Sequence, residues 1–319
     1  MEYLLDFQKE EFEKGYKKII ENGLLFDYEY TEKFEKEFAK QFNHRYTIAM
    51  PSGTACITAI FKVLNLKYGV KKVLIPALTV KEVFQGIKMS GCEIKFMDVS
   101  KELPVSGKNE IKEGLKNGDI DAICYVHTGG LSLLNEIDIS DDIILIEDCS
   151  HSHCIKELGK RGLASLYSFW TTKVLGGGTG MITTYDKDFY ENLLCFVKHS
   201  KNTANYGYPF SVHEIPALMS YLDVKYWKKL ISIRREQAEL YHKNNIYSLQ
   251  DEMEWEPIYY KFTITEKPPK DTVLTGYTHK PPLYPMKNAL YWSKNHWNLY
   301  LYRNPNYNII KNNVEVMKK

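Results

Sequence analysis

Apolar residues recur along the chain in two spacings that alternate with each other. The segment TEKFEKEFAKQF places Phe34, Phe38 and Phe42 four residues apart, which is one face of an amphipathic helix. Further helical segments are ACITAIFKVLNL, KEVFQGIKMSG and NEIKEGLKNG, and the short apolar runs between them are YTIAM, VLIPA, EIKFMDV, DAICYVH and DIILIED. Uninterrupted apolar strands are typical of a sheet buried on both faces. The pattern therefore predicts an α/β fold, with a mostly parallel sheet covered by helices.

The pattern changes from residue 163 onward. LASLYSF and GMITTYD are two strand-like runs joined through a lysine and several glycines, with no helix between them, so we expect them to pair as hairpin neighbours. A long helical region over 213–244 then leads out of the sheet, and a segment rich in tyrosine and proline follows. We therefore expect a larger α/β domain over 1–225, and a connecting helix with a small C-terminal α+β domain over 226–319.

Composition limits the classes of function. The 319 residues are 26% charged and 44% hydrophobic, and the formal net charge is only +2. This is an ordinary globular composition with no general attraction for nucleic acid or anionic lipid, so we expect neither as a partner. Charges interrupt the N-terminal stretch too often for a signal peptide or a membrane span, and the six cysteines form no CxxC pair. We expect a cytoplasmic protein.

Polar residues at the ends of the predicted strands are the candidates for chemistry, because ligands of open α/β sheets bind at the carboxyl edge. Ser52-Gly53-Thr54 could hold a phosphate at a helix N-terminus, or could simply cap that helix. His127 could face a ligand or cap a turn. Glu147 and Asp148 follow a fully apolar run and are either a buried carboxylate pair or a solvated turn. Lys173, in SFWTTK, precedes a run of glycines.

Two other interpretations of these segments are weaker. Cys149, His151, His153 and Cys154 are clustered, but alternation along an extended strand would put Cys154 on the opposite side from the other three, so we predict no metal site. The GGGTG run precedes a strand, whereas a dinucleotide-binding fingerprint opens a helix after a strand. A Rossmann-type cofactor site is therefore not expected.

Together, these strand ends meet the requirements of pyridoxal 5′-phosphate (PLP) chemistry. A lysine such as Lys173 forms a Schiff base with the aldehyde, and a carboxylate such as Asp148 keeps the pyridine nitrogen protonated. The helix N-terminus at Ser52-Gly53-Thr54 would anchor the phosphate, to which Ser168 can add a hydrogen bond.

The order of these motifs resembles the DegT/DnrJ/EryC1/StrS family of sugar aminotransferases, which have the fold-type I PLP architecture. The matching segments lie roughly within 30–245 and include PSGTACITAI, VLIPALTVKEV, IEDCSH and LYSFWTTKVLGGGTGM. The resemblance implies that cofactor phosphate is bound by Gly53, Thr54 and Ser168. It also implies that Asp148 pairs with the pyridine nitrogen, that His151 approaches the phenolic oxygen and that Lys173 carries the cofactor.

The chain departs from the family pattern at two places. Val80 stands where the family usually places an aromatic residue that stacks on the pyridine ring. Tyr208-Pro209-Phe210-Ser211 stands where a segment close to YNxR normally contributes to the neighbouring subunit's cofactor site. Proline cannot donate the amide hydrogen bond of asparagine, and serine supplies no cationic phosphate clamp.

The resemblance implies an aminotransferase that takes nitrogen from L-glutamate and gives it to a keto sugar, most plausibly one linked to a nucleotide. It also implies a homodimer, because the family builds each active site from two subunits, and the apolar stretch GLLFDYEY agrees with this. One alternative is a dehydratase, but dehydratases of this family replace the lysine with histidine, whereas Lys173 is present. The other is a non-catalytic protein that binds PLP or a sugar nucleotide.

Overall fold

The computed structural model describes residues 3–198, 207–275 and 282–318. Its described strands are β1 (Tyr46–Met50), β2 (Lys72–Pro76), β3 (Glu93–Met97), β4 (Ala122–Val126), β5 (Ile144–Asp148), β6 (Ala164–Ser168), β7 (Gly180–Thr184), β8 (Phe262–Ile264) and β9 (Trp297–Leu299). Seven of them form one sheet in the order β1-β7-β6-β5-β4-β2-β3. Only β7 runs antiparallel to its neighbours, β1 and β6. The mostly parallel sheet and the β6–β7 hairpin pairing are both confirmed.

The described α-helices alternate with the strands of this sheet in the first half of the chain, as the sequence predicts. They are α1 (Asp6–Asn22), α2 (Glu29–Phe42), α3 (Gly53–Tyr68), α4 (Lys81–Ser90), α5 (Lys108–Leu115), α6 (Lys187–Val197), α7 (Glu214–Lys225), α8 (Trp227–His242), α9 (Lys287–Trp292) and α10 (Tyr307–Met317).

Helix α2 packs its predicted aromatic face against the strand that leads to the lysine turn. Phe34, Phe38 and Phe42 are all buried. The ring of Phe34 lies 4.8 Å from that of Phe169, and the ring of Phe38 lies 4.9 Å from that of Tyr167. The helix thereby covers the end of β6, from which the chain continues to Lys173.

The region 213–244 forms two helices, where the sequence predicts one continuous helical region. Tyr226 has φ −104° and ψ 17°, which lies outside the α-helical range and separates α7 from α8. Leu218 of α7 and Leu230 at the start of α8 pack in the same apolar cluster as α2. Tyr241, near the end of α8, packs in a C-terminal cluster, so α8 runs from one cluster to the other.

The C-terminal segment forms a small α+β unit of its own. Strands β8 and β9 pair antiparallel, and Phe262, Leu299 and Ile310 share an apolar cluster with Tyr241. The division at 225/226 stays a prediction, although it coincides with the break at Tyr226. Across the described ranges, no helix combines the length and the apolar character that a membrane crossing needs.

Candidate active site

One cavity of about 410 Å³ opens at the carboxyl ends of β4, β5 and β6. Strand ends there bring Val126, Asp148 and Ser168 to the same edge, where ligands of such sheets bind. The seven residues predicted to form the cofactor site all line this cavity, namely Gly53, Thr54, Val80, Asp148, His151, Ser168 and Lys173, whereas the candidates His127 and Glu147 do not. The structure therefore brings all seven together, although they span 120 positions of sequence.

The start of α3 forms one wall of the cavity. The Ser52 side chain accepts a hydrogen bond from the Ala55 N–H at 3.1 Å, so Ser52 is indeed an N-cap. A Cβ atom on Gly53 would lie 2.6 Å from the Cβ of Ser168, so only glycine allows the helix to begin this close to the end of β6. The other N–H groups of the first turn and the helix dipole remain able to hold an anion at Thr54.

Glu147 has a structural role that the sequence did not reveal. It is buried, and it accepts hydrogen bonds from the backbone N–H groups of Gly159, Arg161 and Gly162 at 2.8–3.0 Å. The Nε2 atom of the buried His127 lies 2.9 Å from the Oε2 atom of Glu147. His127 therefore neither lines the cavity nor caps a turn with its side chain. Burial raises the pKa of Glu147, but these hydrogen bonds outweigh burial and hold it below its usual range.

The buried trio of His127, Glu147 and Cys149 also has the residue types of a metal site. Its possible ligand atoms lie within 4.8 Å of one another. The carboxylate of Glu147, however, is already occupied by three backbone N–H groups and by His127. The trio therefore holds the loop after β5 against the sheet.

Asp148 faces the cavity from the end of β5. Its carboxylate is buried, and Oδ1 accepts a hydrogen bond from the Ser150 N–H at 2.9 Å. Burial raises its pKa, although this hydrogen bond and the positive charge of Lys173 act in the opposite direction. A buried carboxylate of this kind favours a cationic group beside it in the cavity. The alternative of a solvated turn at 147–148 is wrong.

The CSHSHC segment turns directly after Asp148, so the expectation of an extended strand there is wrong. The ring of His151 stacks on the ring of Tyr260, with centroids 4.0 Å apart. His153 instead turns away, and its Nε2 lies 2.9 Å from the carbonyl oxygen of Ser168. The two imidazoles therefore serve different places, one at the cavity and one behind β6.

Lys173 lies in the tight connection between β6 and β7. Its N–H donates to the Trp170 carbonyl at 2.8 Å, and the Gly178 N–H donates to the Phe169 carbonyl at 2.8 Å. Gly177 and Gly178 have φ of 111° and 94°, a region in which side chains are strained. The glycines thus permit the return that holds the lysine at the cavity.

Thr79, Trp170 and Tyr260 are among the cavity residues that the sequence did not identify as site residues. Thr79 is buried beside Val80, and its hydroxyl has no hydrogen-bond partner among the residues the structure describes. Trp170 is exposed at the rim, three residues before Lys173. Thr79 and Trp170 both lie inside motifs that the sequence analysis quotes, so their closeness to Val80 and Lys173 along the chain could have indicated them. Tyr260 enters from the C-terminal segment and had no local signal.

The departures from the family pattern fall in different surroundings. Val80 lines the cavity at the start of α4, as the alignment of motifs implies. Tyr208 and Phe210 instead contact Phe196 of α6, with ring centroids 5.7 and 6.3 Å apart. The segment 208–211 therefore does not line the cavity of its own chain.

The sequence profile of the DegT/DnrJ/EryC1/StrS aminotransferase family matches residues 6–257, which is most of the chain and includes every residue named at the cavity except Tyr260. The chain belongs to this family. The profile ends just before Tyr260, so the contribution of that residue is outside the matched segment.

Individual relatives agree with membership of the DegT/DnrJ/EryC1/StrS family. GDP-perosamine synthase of Escherichia coli O157:H7 is 28% identical over 229 residues, which are 67% of this chain and 63% of the synthase. The matched part of the chain spans less than two thirds of the length of this synthase and of the two related dehydratases.

Solved structures of the family share the fold. Helicobacter pylori PseC, an aminotransferase involved in the biosynthesis of pseudoaminic acid, superimposes with a TM-score of 0.84 at 16% identity, over 99% of this chain and 96% of PseC. E. coli GDP-4-keto-6-deoxy-D-mannose-3-dehydratase with bound hydrated PLP gives 0.82 at 18% identity, over 99% and 98%. The α/β fold with a mostly parallel sheet is therefore the fold of PLP-dependent enzymes.

Proposed function

We propose that the protein is a PLP-dependent aminotransferase that moves an amino group from L-glutamate to a nucleotide-linked keto sugar. The observation that carries the proposal is the shared cavity, where Lys173 and Asp148 meet the helix N-terminus at Gly53 and Thr54. Family membership supports amino transfer as the reaction. The relative named GDP-perosamine synthase supports a nucleotide-linked acceptor.

The residues present fit the cofactor. The buried hydroxyl of Thr79 lacks a hydrogen-bond partner among the described residues. Buried polar groups normally have such a partner, so a ligand that hydrogen-bonds to this hydroxyl fits the cavity. The glycine at position 53 leaves backbone N–H groups open toward the cavity. Gly53, Thr54 and Ser168 would hold the phosphate, and Asp148 would hold the protonated ring nitrogen.

In this proposal the protein supplies attachment, orientation and proton transfer. PLP, when bound, supplies an aldehyde that bonds to amines and a protonated ring that withdraws electrons. Lys173 would provide the amine for attachment, and its Nζ would carry a proton to and from the substrate. Asp148 would hold the protonated ring nitrogen by charge pairing, and His151 would approach the phenolic oxygen.

Two measurements on purified protein loaded with PLP test the proposal. L-glutamate should bleach the yellow absorbance, and a keto sugar nucleotide should restore it. Borohydride reduction followed by peptide mapping should place the pyridoxyl group on Lys173. A label on another lysine would contradict the assignment, and bound PLP without any bleaching by amino donors would favour a non-catalytic binding protein.

The Lys173→Ala variant separates the chemistry from the fold. Turnover should fall by several orders of magnitude, because both the attaching amine and the proton carrier are lost. Folding should survive, since the turn is set by the glycines and backbone hydrogen bonds. PLP should still bind without a covalent bond through the contacts at Gly53, Ser168 and Asp148. Near-normal transamination by this variant would refute the role of Lys173.

Lys173 also supports transfer over dehydration. The family resemblance implies that dehydratases of this family carry histidine at the position of Lys173. Incubation with a 4-keto-6-deoxy sugar nucleotide and L-glutamate distinguishes the two reactions, because transfer yields an amino sugar, whereas dehydration yields a deoxy product and ammonia. The first product is expected.

We further propose that the active form is a homodimer. Leu24, Leu25, Phe26 and Tyr28 are exposed large apolar side chains in one short stretch between α1 and α2. Such a patch favours contact with a second copy of the chain. Light scattering at micromolar concentration should give a dimer mass, and a fully active monomer would contradict the proposal.

A further inference from the structure

The ring of Tyr260 connects the cavity to a group of positive charges on the C-terminal side. One neighbour of this ring is His151, stacked at 4.0 Å. The Nζ atom of Lys173 lies 5.1 Å from the ring centroid, and the Nζ atom of Lys261 lies 5.5 Å from it. Two ammonium groups thus share one aromatic side chain at the cavity wall, an arrangement that the ring quadrupole favours.

A third cation lies behind this ring. The guanidinium of Arg234, on α8, is buried and donates hydrogen bonds to the carbonyl oxygens of Tyr259 and Tyr260 at 2.9 and 3.3 Å. Carbonyl groups satisfy its donors without cancelling its charge. Burial, followed by the charges of Arg234 and Lys173, lowers the pKa of Lys261 to about 8.

Lys261 and Arg234 form no ion pair with a carboxylate among the described residues, whereas Lys173 faces the charge of Asp148. Within residues 3–198, 207–275 and 282–318, no carboxylate lies within 4.0 Å of a charged nitrogen of Lys173, Lys261 or Arg234. Uncompensated charges in partly buried positions cost free energy, and an anionic ligand removes that cost. The cofactor phosphate is assigned to Gly53 and Thr54 in the proposed function, which leaves Lys261 beside Tyr260 available to a further anion.

We propose that Lys261, positioned by Tyr260 and supported by Arg234, binds an oxyanion of the substrate next to the reacting amine of Lys173. The inference rests on the proposed function, whose two substrates both carry oxyanions. The amino donor has carboxylates, and the nucleotide-linked acceptor has phosphates. The ammonium of Lys261 recognises the chemistry that they share.

We expect Lys261 to contribute to binding rather than to stability. A partly buried ammonium whose pKa is lowered destabilises the folded state at neutral pH, because the charged form is penalised by burial. Replacing it with methionine, which keeps the apolar stem, should therefore leave the thermal midpoint unchanged or raise it. A lysine needed for folding would show the opposite result.

Binding is measured by calorimetry with two probes, so that turnover is not required. Glutarate is a dicarboxylate without an amino group, and GDP carries a diphosphate without a sugar. Lys261→Met should weaken one of the two probes by about tenfold or more, and Lys261→Arg should restore most of that loss. Lys267→Met, at an exposed lysine nearby, makes the same change in net charge and should alter neither affinity.

The probe that weakens identifies the source of the anion. Loss of glutarate affinity assigns the subsite to the amino donor, and loss of GDP affinity assigns it to the acceptor. The affinity of the affected probe should also fall as pH rises through about 8 in the unaltered protein and not in Lys261→Met, since only the protonated amine attracts an anion.

Unchanged affinity for both probes in Lys261→Met, or loss that is equal in Lys267→Met, would overturn the proposal. Failure of both probes to bind the unaltered protein would overturn it too. These outcomes are distinct from failure of the proposed function, which the borohydride label on Lys173 and the glutamate half-reaction report independently.

Discussion

Val80 is the N-cap residue of α4 and lines the cavity, at the position where the family resemblance places an aromatic residue. A valine offers less contact area to a ring than an aromatic side chain does. Val80→Phe should therefore strengthen PLP binding by on the order of 1 kcal/mol. The measurement is the PLP dissociation constant, obtained from the amount of cofactor that the protein loses on dialysis.

A matched variant shows whether ring stacking causes the effect. Val80→Leu adds apolar volume without a ring, so it should improve retention less than Val80→Phe. Equal improvement by both variants would attribute the gain to volume alone. Weaker retention in Val80→Phe would mean that another side chain already occupies the space beside Val80.

Single residues also show where inference from the sequence reached its limit. Asp148 and Lys173 were predictable, because each follows a strand or precedes glycines in a pattern whose chemistry requires that residue type. Glu147 was not, since its partners are backbone N–H groups whose positions depend on the loop after β5. Tyr260 was not predictable either, because it reaches His151 across more than a hundred positions of sequence.

At the scale of elements, Glu214 holds the start of α2 in place. Its buried carboxylate, on the first turn of α7, accepts hydrogen bonds from the N–H groups of Tyr28, Tyr30 and Thr31 and from the Thr31 hydroxyl, at 2.6–3.0 Å. The N-terminal N–H groups of a helix have no partner within the helix, and Tyr28 supplies no side-chain cap. A residue of a distant helix thus supplies the cap of α2.

Glu214→Ala should lower the free energy of unfolding by about 3 kcal/mol or more, because it leaves several buried donors without an acceptor. Glu214→Gln keeps one acceptor oxygen and should cost less. Glu32→Ala, at an exposed glutamate of α2, should change the free energy of unfolding by at most about 0.5 kcal/mol. Urea unfolding measures these free energies, provided that the m-values are unchanged. Similar urea midpoints for Glu214→Ala and Glu32→Ala would contradict the capping role of Glu214.

Elements were the most predictable level, for a physical reason. Phe34, Phe38 and Phe42 define a face locally, and the same periodicity decides which side of α2 is buried. The break at Tyr226 was not predictable, because both halves of that region are good helix formers, and the passage of α8 from one apolar cluster to the next depends on tertiary packing. Local pattern identifies an element, whereas tertiary contacts decide where it bends.

At the scale of the whole molecule, Asp223 joins the lysine turn to both ends of the described chain. Its carboxylate is buried in α7 and accepts hydrogen bonds from Tyr3 Oη at 2.7 Å, Gln8 Nε2 at 2.9 Å and the Gly176 N–H at 2.7 Å. It also forms a two-pronged ion pair with Arg303. The turn that carries the proposed catalytic lysine is therefore stabilised by residues from three distant parts of the sequence.

Two buried histidines make the stability of the whole molecule depend on pH. His44 contacts the Tyr167 hydroxyl at 3.1 Å, and His153 contacts the Ser168 carbonyl at 2.9 Å. Burial, together with the nearby charge of Lys160, lowers the pKa of His44 to about 4, and burial together with the charge of Lys173 lowers that of His153 to about 3. An exposed histidine in the unfolded chain titrates near about 6.5.

The sign of the effect follows from proton binding. Between the folded and unfolded pKa values, the unfolded chain binds more protons than the folded protein, so the free energy of unfolding falls as pH decreases from about 6.5 toward about 4. Each histidine should contribute up to about 1.4 kcal/mol per pH unit in that window.

His44→Gln and His153→Gln remove the titration and keep a hydrogen-bonding amide. Urea unfolding at several pH values should therefore give a shallower acid slope for each variant than for the unaltered protein, and the double variant should be shallower still. An unchanged slope in both variants would mean that buried carboxylates, rather than these histidines, control the acid limb.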